Sequence, residues 1–214
     1  MRPSHRALFA ILAVATATEA RAQFALDLKV GYALPTGKVA AASVSATDPQ
    51  GSLANWVSGA VPIEGAVRYR FTPRLSAGVY FQYAPTFVSD YVCLSSFSCS
   101  GSNVRVGAEA VYGLFPDAFF NPWGSVGTGW EWLNQKVSAG AATQSRSVSG
   151  WEWFNVQIGG DFNLSKTFAV GPYIGFFGGQ YTSGTVDGVS TTIPSANRTF
   201  HGWWQFGAKG TVNL

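Results

Sequence analysis

FHGWWQFGAKGTVNL, residues 200–214, decides the fold of this chain. Every second residue from Trp204 to Leu214 is apolar or small, whereas the alternate set from Trp203 to Asn213 is mostly polar. A repeat of two is the signature of a β-strand whose two faces meet different surroundings. A terminal strand of this kind is typical of a transmembrane β-barrel, in which the last strand closes against the first. We therefore expect this strand to pair with Phe24–Leu34.

The N-terminal segment has the pattern of a secretory signal peptide. A basic start is followed by the apolar segment Ala7–Ala17, which is too short to span a bilayer, and Ala20–Ala22 has the A-x-A form of a cleavage site. We expect residues 1–22 to be the signal peptide and residues 23–214 to be the mature barrel domain. Removing three arginines and one glutamate with this segment lowers the formal net charge from +3 to about +1.

The composition of the mature chain argues against several classes of protein. Lysines and arginines are scattered singly, so no basic patch for nucleic acid is formed. Charged residues make up 12% of the sequence while aromatic residues make up 15%, a balance that favours a β-protein in contact with lipid. Because no mature segment has about 18 consecutive apolar residues, we expect any membrane crossing to use strands.

Eight amphipathic strands follow from the period-two pattern along the mature chain. The predicted strands are Phe24–Leu34, Ala60–Phe71, Leu75–Ala84, Asn103–Phe115, Pro122–Asn134, Gly150–Leu164, Phe168–Tyr181 and Phe200–Leu214. Pro172 lies within the seventh and predicts a bulge or a strand end there. The connections alternate between long and short, as in outer-membrane barrels with long outer loops and short periplasmic turns. The predicted fold is an all-β, eight-stranded antiparallel up-and-down transmembrane β-barrel.

The charged residues of the strands decide which face points inward. Five acids and five bases share the polar faces: Asp27, Glu64, Glu109, Glu131 and Asp161, with Lys29, Arg68, Arg70, Arg105 and Lys209. In a soluble lipocalin-like carrier these charges would meet water around an apolar cavity. In a membrane barrel the apolar face meets lipid and the charges pair inside, as their balance of signs favours. We expect the second arrangement, with Lys209 directed at an acid across the barrel and inward glycines making room for long side chains.

Aromatic residues cluster near both ends of the predicted strands, as in the two interfacial belts of a bilayer-spanning barrel. The loop-end set is Tyr32, Tyr83, Trp130, Trp132 and Trp204, and the turn-end set is Phe71, Phe115, Trp123, Phe162 and Phe168.

Cys93 and Cys99 are the only two cysteines, and both lie in one polar loop. Export to an oxidising compartment predicts a local disulfide between them. A metal site is the weaker interpretation, because no cluster of histidines or carboxylates accompanies them.

Three segments resemble small, mostly uncharacterised outer-membrane β-barrel proteins of Gram-negative bacteria. They are GYALPTGK at Gly31–Lys38, RYRFTPRLSAGVYFQY at Arg68–Tyr83 and AVGPYIGFFGGQY at Ala169–Tyr181. The resemblance covers the mature chain, and the group includes the OmpA transmembrane domain and OmpW-like barrels. It implies an architecture and no reaction. Leu214 departs from the phenylalanine that usually closes such chains.

Catalysis finds little support in the sequence. His201 is the only histidine of the mature chain, and we expect it to lie at the membrane interface. A lipid A-modifying enzyme would need a serine such as Ser149 or Ser183 to approach it. The interior charges suit either a structural plug or a narrow pore.

We expect a structural or surface-interaction role, with the interior plugged by the charged network and the variable chemistry in the loops. The alternatives are a small pore or conduit for small or apolar solutes and, less favoured, a lipid A-modifying enzyme. No cofactor and no metal are expected. Expected partners are outer-membrane lipid, lipopolysaccharide and the barrel-assembly machinery; nucleic acid is not among them, and the protein should be a monomer.

Overall fold

The structure is a computed structural model that describes residues 23–41, 51–140 and 142–214. The predicted signal peptide lies outside the described residues. Antiparallel strands dominate: β1 Phe24–Gly37, β2 Val57–Ala60, β3 Ile63–Arg70, β4 Leu75–Val88, β5 Ser98–Gly113, β6 Phe120–Ala139, β7 Ala142–Asn163, β8 Phe168–Val186, β9 Val189–Thr192 and β10 Phe200–Asn213. A short helix, α1 (Leu53–Trp56), precedes β2, and a 3-10 turn spans Ser195–Asn197. Among the described residues, no helix is long and apolar enough to cross a bilayer.

The strands form the predicted eight-stranded antiparallel barrel. β2 and β3 together make one barrel strand, interrupted at Pro62, which has no N–H to donate to a ladder. The ring runs β1, β2/β3, β4, β5, β6, β7, β8 and β10, while β9 pairs only with β8 outside it. The predicted closure is confirmed: β10 pairs with β1 from Ala25↔Asn213 to Gly37↔His201. The backbone N–H of Leu214 also donates to the carbonyl of Phe24 at 2.9 Å.

The outer wall is apolar because each strand points alternate side chains outward. Leucine, valine, isoleucine and phenylalanine side chains cover this wall, and many are highly exposed: Leu28, Val79, Val126 and Ile158 are 57–62% exposed. Exposing so much apolar surface to water would be unfavourable. No charged side chain of the central wall shares this face among the described residues. A contiguous apolar belt of this extent is the surface that a bilayer-spanning barrel presents to lipid.

One end of the barrel has short turns. In the β3–β4 turn the Thr72 hydroxyl accepts a hydrogen bond from the N–H of Leu75 at 2.9 Å, and Ser165 does the same for Phe168 in the β7–β8 turn at 2.9 Å. These side-chain bonds satisfy backbone donors where the ladder stops. Both ends of the barrel domain lie at this turn end.

The opposite end is taller than the sequence predicts. The polar segment Gln135–Ser149 lies between two predicted strands and was expected to be a loop, but it continues the ladder between β6 and β7, which contain 20 and 22 residues. A bilayer needs only about 9–11 residues per strand, so these strands extend well past the apolar belt.

The seventh predicted strand continues through Pro172, whose partner on β10 is Ala208, so the expected bulge or strand end at this proline is wrong. Pro172 faces outward, and the register of β8 with its two neighbours, β10 and β7, does not shift at this residue.

Candidate functional site

The barrel interior collects the chemistry-bearing side chains. Of the ten charged residues predicted to face inward, nine are at most 7% exposed. The exception is Arg70, which is half-buried at the turn end and donates to the side-chain oxygen of Asn213. Burial of an ion costs several kcal/mol unless it is paired, so the contacts of each charge describe what the interior can do.

The turn-end layer is built on an arginine–carboxylate pair. Arg68 contacts both oxygens of Asp27, with Nη2 donating to Oδ1 at 2.7 Å. The Thr211 hydroxyl donates to the same Oδ1 at 2.7 Å, and Arg68 Nη1 donates to the Ser76 hydroxyl at 2.7 Å. A bidentate pair with both partners satisfied is among the strongest arrangements of this type. This layer closes the turn end of the interior.

A second pair lies beside it and involves the closing strand. Lys209 Nζ is 2.9 Å from Asp161 Oδ2 and 3.7 Å from the centre of the Trp123 ring. The Trp123 indole N–H donates to Asp161 Oδ1 at 2.9 Å. Trp123 is 4% exposed and faces inward, so its predicted place in the turn-end aromatic belt is wrong. Trp123 lies two residues before the inward-facing Ser125 on β6 and therefore also points inward. Its indole ring covers the Lys209–Asp161 ion pair.

The middle layer surrounds one lysine with acceptors. Lys29 Nζ lies 2.7 Å from Glu64 Oε1, 3.3 Å from Glu109 Oε2 and 3.0 Å from the side-chain oxygen of Gln157. All four side chains are at most 3% exposed. Three acceptors match the three donors of an ammonium group, so the hydrogen-bonding capacity of the Lys29 ammonium is satisfied in this layer.

The next layer centres on Arg105. Its Nη2 is 3.6 Å from Glu131 Oε2 and its Nε is 3.4 Å from Glu152 Oε2, and its guanidinium lies 4.9 Å from the ring centre of Phe177. The Tyr80 hydroxyl donates to Glu152 Oε1 at 2.6 Å. Arg105 on β5 therefore contacts one carboxylate on each of the next two strands, β6 and β7, and Glu131 is its direct cross-strand partner.

Inward glycines make room for this layer. A Cβ on Gly107 would lie 2.5 Å from the Tyr80 hydroxyl, and one on Gly129 would lie 2.7 Å from it. Larger residues at either position would displace the tyrosine that donates to Glu152.

Glu152 was not among the predicted interior charges. A register shift between Glu152 and Phe154 on β7 turns Trp151 and Trp153 outward and Glu152 inward. A β-bulge reverses the parity that simple alternation predicts. A signal did exist: Gly-Trp-Glu-Trp occurs twice, at residues 129–132 and 150–153, and both glutamates contact Arg105.

Glu131 is the most heavily bonded carboxylate of the interior. Its Oε1 accepts from Asn103 Nδ2 at 2.6 Å, from the Tyr181 hydroxyl at 2.7 Å and from the Trp203 indole at 2.9 Å. Its Oε2 lies 3.1 Å from His201 Nε2. A carboxylate held by this many donors has no free lone pair directed at a substrate.

His201 is 1% exposed and stacks on Tyr181 with ring centres 3.8 Å apart. The expected interfacial position is therefore wrong, because residue 201 shares the inward parity of Trp203 on β10. Ser149 and Ser183, the serines considered as partners for it, hydrogen-bond to each other at 2.9 Å. Ser149 pairs with the outward Trp132, so these hydroxyls lie on the other face of the wall from His201.

An apolar cap covers the charged layers at the loop end. The helix α1 places Leu53 and Trp56, 0% and 4% exposed, against inward side chains of the barrel that include Leu133, Phe177 and Trp203. The carbonyl of Trp56 accepts from Gln135 Nε2 at 2.7 Å. This short helix lies in the connection between the first two predicted strands, where the sequence shows no periodicity that indicates how its residues pack.

Charge and hydrogen bonding in the interior are not fully balanced. Among the described residues, six buried acids face four buried bases and His201. Ten buried side-chain polar atoms have no hydrogen-bond partner, among them Glu109 Oε1, Glu152 Oε2 and Ser125 Oγ. Arg105 Nε and Nη2 are also among them, and native interiors carry few such atoms, so the interior combines tight ion pairs with incompletely satisfied donors and acceptors.

The predicted disulfide between Cys93 and Cys99 is present. It closes the β4–β5 loop beyond the loop end of the wall, where Tyr91 and Leu94 are 60% and 57% exposed. In the part of the chain that the structure describes, no group of three or more histidine, cysteine, aspartate or glutamate side chains is arranged to hold a metal ion.

Solved structures with the same fold are outer-membrane proteins. Neisserial surface protein A (NspA) has 14% identity and a TM-score of 0.51, and covers 92% of this chain and 100% of its own. The outer membrane protein OprG from Pseudomonas aeruginosa has 11% identity and a TM-score of 0.53, with 91% and 98% covered.

A major outer membrane protein from Thermus thermophilus has 10% identity and a TM-score of 0.50, covering 88% of this chain and 98% of its own. No protein-family profile matches the chain, and no curated protein matches it. The likeness confirms, at the level of the fold, the resemblance to outer-membrane β-barrels.

Proposed function

We propose that this chain is an exported, integral outer-membrane β-barrel with a closed interior and a structural or surface-interaction role. The short turns and both ends of the barrel domain face the periplasm, and the tall β6–β8 strands face outward from the cell. The apolar wall supports membrane insertion, since a charged residue at its centre would cost about 2–4 kcal/mol. Residues 1–22 serve as the signal peptide for export.

The observation that carries the closed interior is the series of layers of buried side-chain contacts along the barrel. It begins with Asp27 and Arg68 at the turn end, continues through Lys29 and Arg105, and ends under Trp56 at the loop end. An eight-stranded barrel is narrow enough for side chains to fill. A solute would have to break several buried ion pairs in sequence to cross.

The same contacts argue against an enzyme. Glu131 and His201, the most suggestive acid–base pair, are held by Tyr181 and Trp203 within the interior and reach no serine among the described residues. The proposed role therefore resides in the outer segments, such as the disulfide-closed β4–β5 loop. It requires no cofactor and no metal. Lipopolysaccharide and other outer-membrane lipid surround the wall, the barrel-assembly machinery inserts it, and the chain acts as a monomer.

Conductance measurements on the refolded chain in planar bilayers test this function. Insertion is verified first by the heat-dependent migration of the folded barrel on gels. We expect inserted barrels to show no steady unitary conductance, and we expect Arg105→Ala to introduce current fluctuations. A stable open level from the unchanged chain would contradict the closed interior. Recovery of the mature chain from the periplasm without detergent would contradict membrane insertion itself.

A narrow conduit is the second candidate. The observation that favours it is the set of buried polar atoms without partners, such as Glu109 Oε1 and Ser125 Oγ, which a chain of water molecules could satisfy. A conduit predicts steady, cation-selective current, because acids outnumber bases among the buried interior charges. The conductance experiment therefore separates the two candidates directly.

A further inference from the structure

A polar pocket lies on the outer face of the wall at the loop end. Its volume is about 380 Å³. Its floor is a row of directly paired residues on four strands, Ser102, Asn134, Ser147 and Thr185. Asn134 follows the outward Trp132 by two positions and is separated from it by Leu133, which is fully buried inside. The row therefore faces outward, immediately beyond the apolar belt.

The next row adds the charge. Lys136 is exposed and pairs with Ser100 and Ser145, which also line the pocket. No aspartate or glutamate is among the lining residues. Asp187 borders the upper edge, where its Oδ1 accepts from the backbone N–H of Ser145 at 2.7 Å. Arg146 also lines the pocket, from the alternate parity of β7, and its Nη2 donates to Gln144 Oε1 at 3.0 Å. The pocket thus offers hydroxyls, an amide, the ammonium of Lys136 and the guanidinium of Arg146.

Directly below the pocket lies an aromatic platform, which we define as Trp130, Trp132, Trp151 and Trp153. Trp130 contacts both Trp132 and Trp151, with ring centres 6.3 Å and 6.0 Å apart. Trp132, Trp151 and Trp153 are 38–51% exposed on the outward face. The platform is produced by the two Gly-Trp-Glu-Trp repeats, whose glutamates anchor inward on Arg105 while their tryptophans turn outward. Indole rings prefer the boundary between lipid tails and head groups.

We propose that the polar pocket and the aromatic platform together bind the phosphorylated sugar head group of lipopolysaccharide. This inference rests on the proposed function, which places the pocket at the outer surface. The acyl chains would contact the apolar wall, the head-group sugars would lie on the platform and against Asn134 and the serine hydroxyls, and a phosphate would contact Lys136. The occupant follows from the level of the pocket, from the cations Lys136 and Arg146 that line it without a carboxylate, and from its uncharged hydrogen-bonding groups. A phospholipid offers a phosphate but fewer sugar hydroxyls for the rest of the pocket.

The test is a titration of the refolded full barrel in detergent with purified lipopolysaccharide, read by native mass spectrometry as the bound fraction. We expect Lys136→Ala to weaken the apparent Kd about tenfold, the effect of losing one charge-assisted hydrogen bond. Lys136→Arg should stay within about threefold of the unchanged chain, since the cation is retained. The matched control is Lys166→Ala, an exposed lysine in the β7–β8 turn at the opposite end, which should change the Kd less than about twofold.

Two further arms separate the sources of binding. Chemically dephosphorylated lipopolysaccharide should bind the unchanged chain about as weakly as intact lipopolysaccharide binds Lys136→Ala. Asn134→Ala should weaken binding of both forms by a similar factor, because it removes a sugar contact and no charge. Equal effects of the Lys136 and Lys166 substitutions, or equal competition by phosphatidylglycerol, would overturn the inference. A chain that never enters the outer membrane would instead overturn the proposed function, and a membrane fractionation of the same strain distinguishes the two.

Discussion

Arg105 is the residue whose loss should damage the barrel most. Arg105→Met keeps much of the side-chain volume and removes the guanidinium that lies between Glu131 and Glu152. Both carboxylates are at most 2% exposed, so water does little to replace the lost cation. Removing one partner of a buried ion pair costs about 3–5 kcal/mol. We expect the free energy of unfolding to fall by an amount in that range. The loss should not be larger, because Glu131 keeps the donors Tyr181 and Trp203 while Glu152 keeps Tyr80.

The assay is equilibrium urea unfolding of the chain refolded into phospholipid vesicles, followed by tryptophan fluorescence. Arg74→Met is the matched control, because Arg74 is exposed in the β3–β4 turn, and it should change the free energy of unfolding by less than about 0.5 kcal/mol. Adding Glu131→Gln and Glu152→Gln to Arg105→Met should recover about half of the loss, because the unpaired charges are then gone.

A loss below about 1 kcal/mol in Arg105→Met, the usual value of an exposed ion pair, would refute the reasoning. It would mean that water reaches these carboxylates and that the layer does not seal the interior. Failure of the glutamine substitutions to restore stability would locate the effect in packing against Phe177 and Trp203.

Four further predictions use the same preparation. Ile158→Lys, on the lipid-facing wall, should lower the free energy of unfolding by about 2–4 kcal/mol. Trp56→Ala should lower it by about 3–5 kcal/mol and raise the frequency of current fluctuations, because it removes the cap. Replacing Cys93 and Cys99 by serine should leave the urea midpoint unchanged within error while cleavage of their loop by added protease becomes faster. His201→Ala should lower the free energy of unfolding by about 1–3 kcal/mol, because it removes a buried partner of the Glu131 carboxylate. Overexpression of either the unchanged chain or this variant should leave the mass of lipid A unchanged. A mass change that the unchanged chain produces and this variant abolishes would restore the enzyme hypothesis.

The sequence predicts the barrel because lipid imposes a strict rule on the strands within it. Outward positions must be apolar, so the period of two is visible in segments such as Phe24–Leu34 and the closing strand. The pairing of β10 with β1 follows from closure alone. The disulfide follows from two cysteines in one loop of a chain that the sequence predicts to be exported.

Beyond the bilayer this rule no longer applies. The outward face of β6 and β7 meets water there, so Gln135–Ser149 carries mostly small and polar residues and shows no clear alternation, although the ladder continues and Val148 still packs inside. The cap was not predictable for a related reason, since Leu53 and Trp56 pack from a short helix within a long connection.

Within the barrel, the predicted face of a side chain is wrong where a bulge interrupts the alternation, or where the alternation was not used to assign the face. The bulge near Glu152 reverses the expected face, and no residue type marks that bulge. Trp123 and His201 have the inward parity of their strands, but an aromatic residue near a strand end is easily assigned to the interfacial belt. The partners of each charge, such as Asp161 for Lys209, depend on the tilt and stagger of the strands, which the sequence pattern does not encode.

The central claim is a bilayer-spanning wall around a sealed interior, and solid-state NMR of the unmodified chain in lipid vesicles tests it most directly. Magnetisation transferred from lipid acyl chains should reach the side chains of Leu28, Val126 and Ile158, which face outward. Magnetisation from mobile water should reach Arg105 and Trp203 only slowly, at the rate of buried groups. Rapid transfer from water to Arg105 would contradict the sealed interior, and rapid transfer from water to the outward side chains would contradict a wall embedded in lipid.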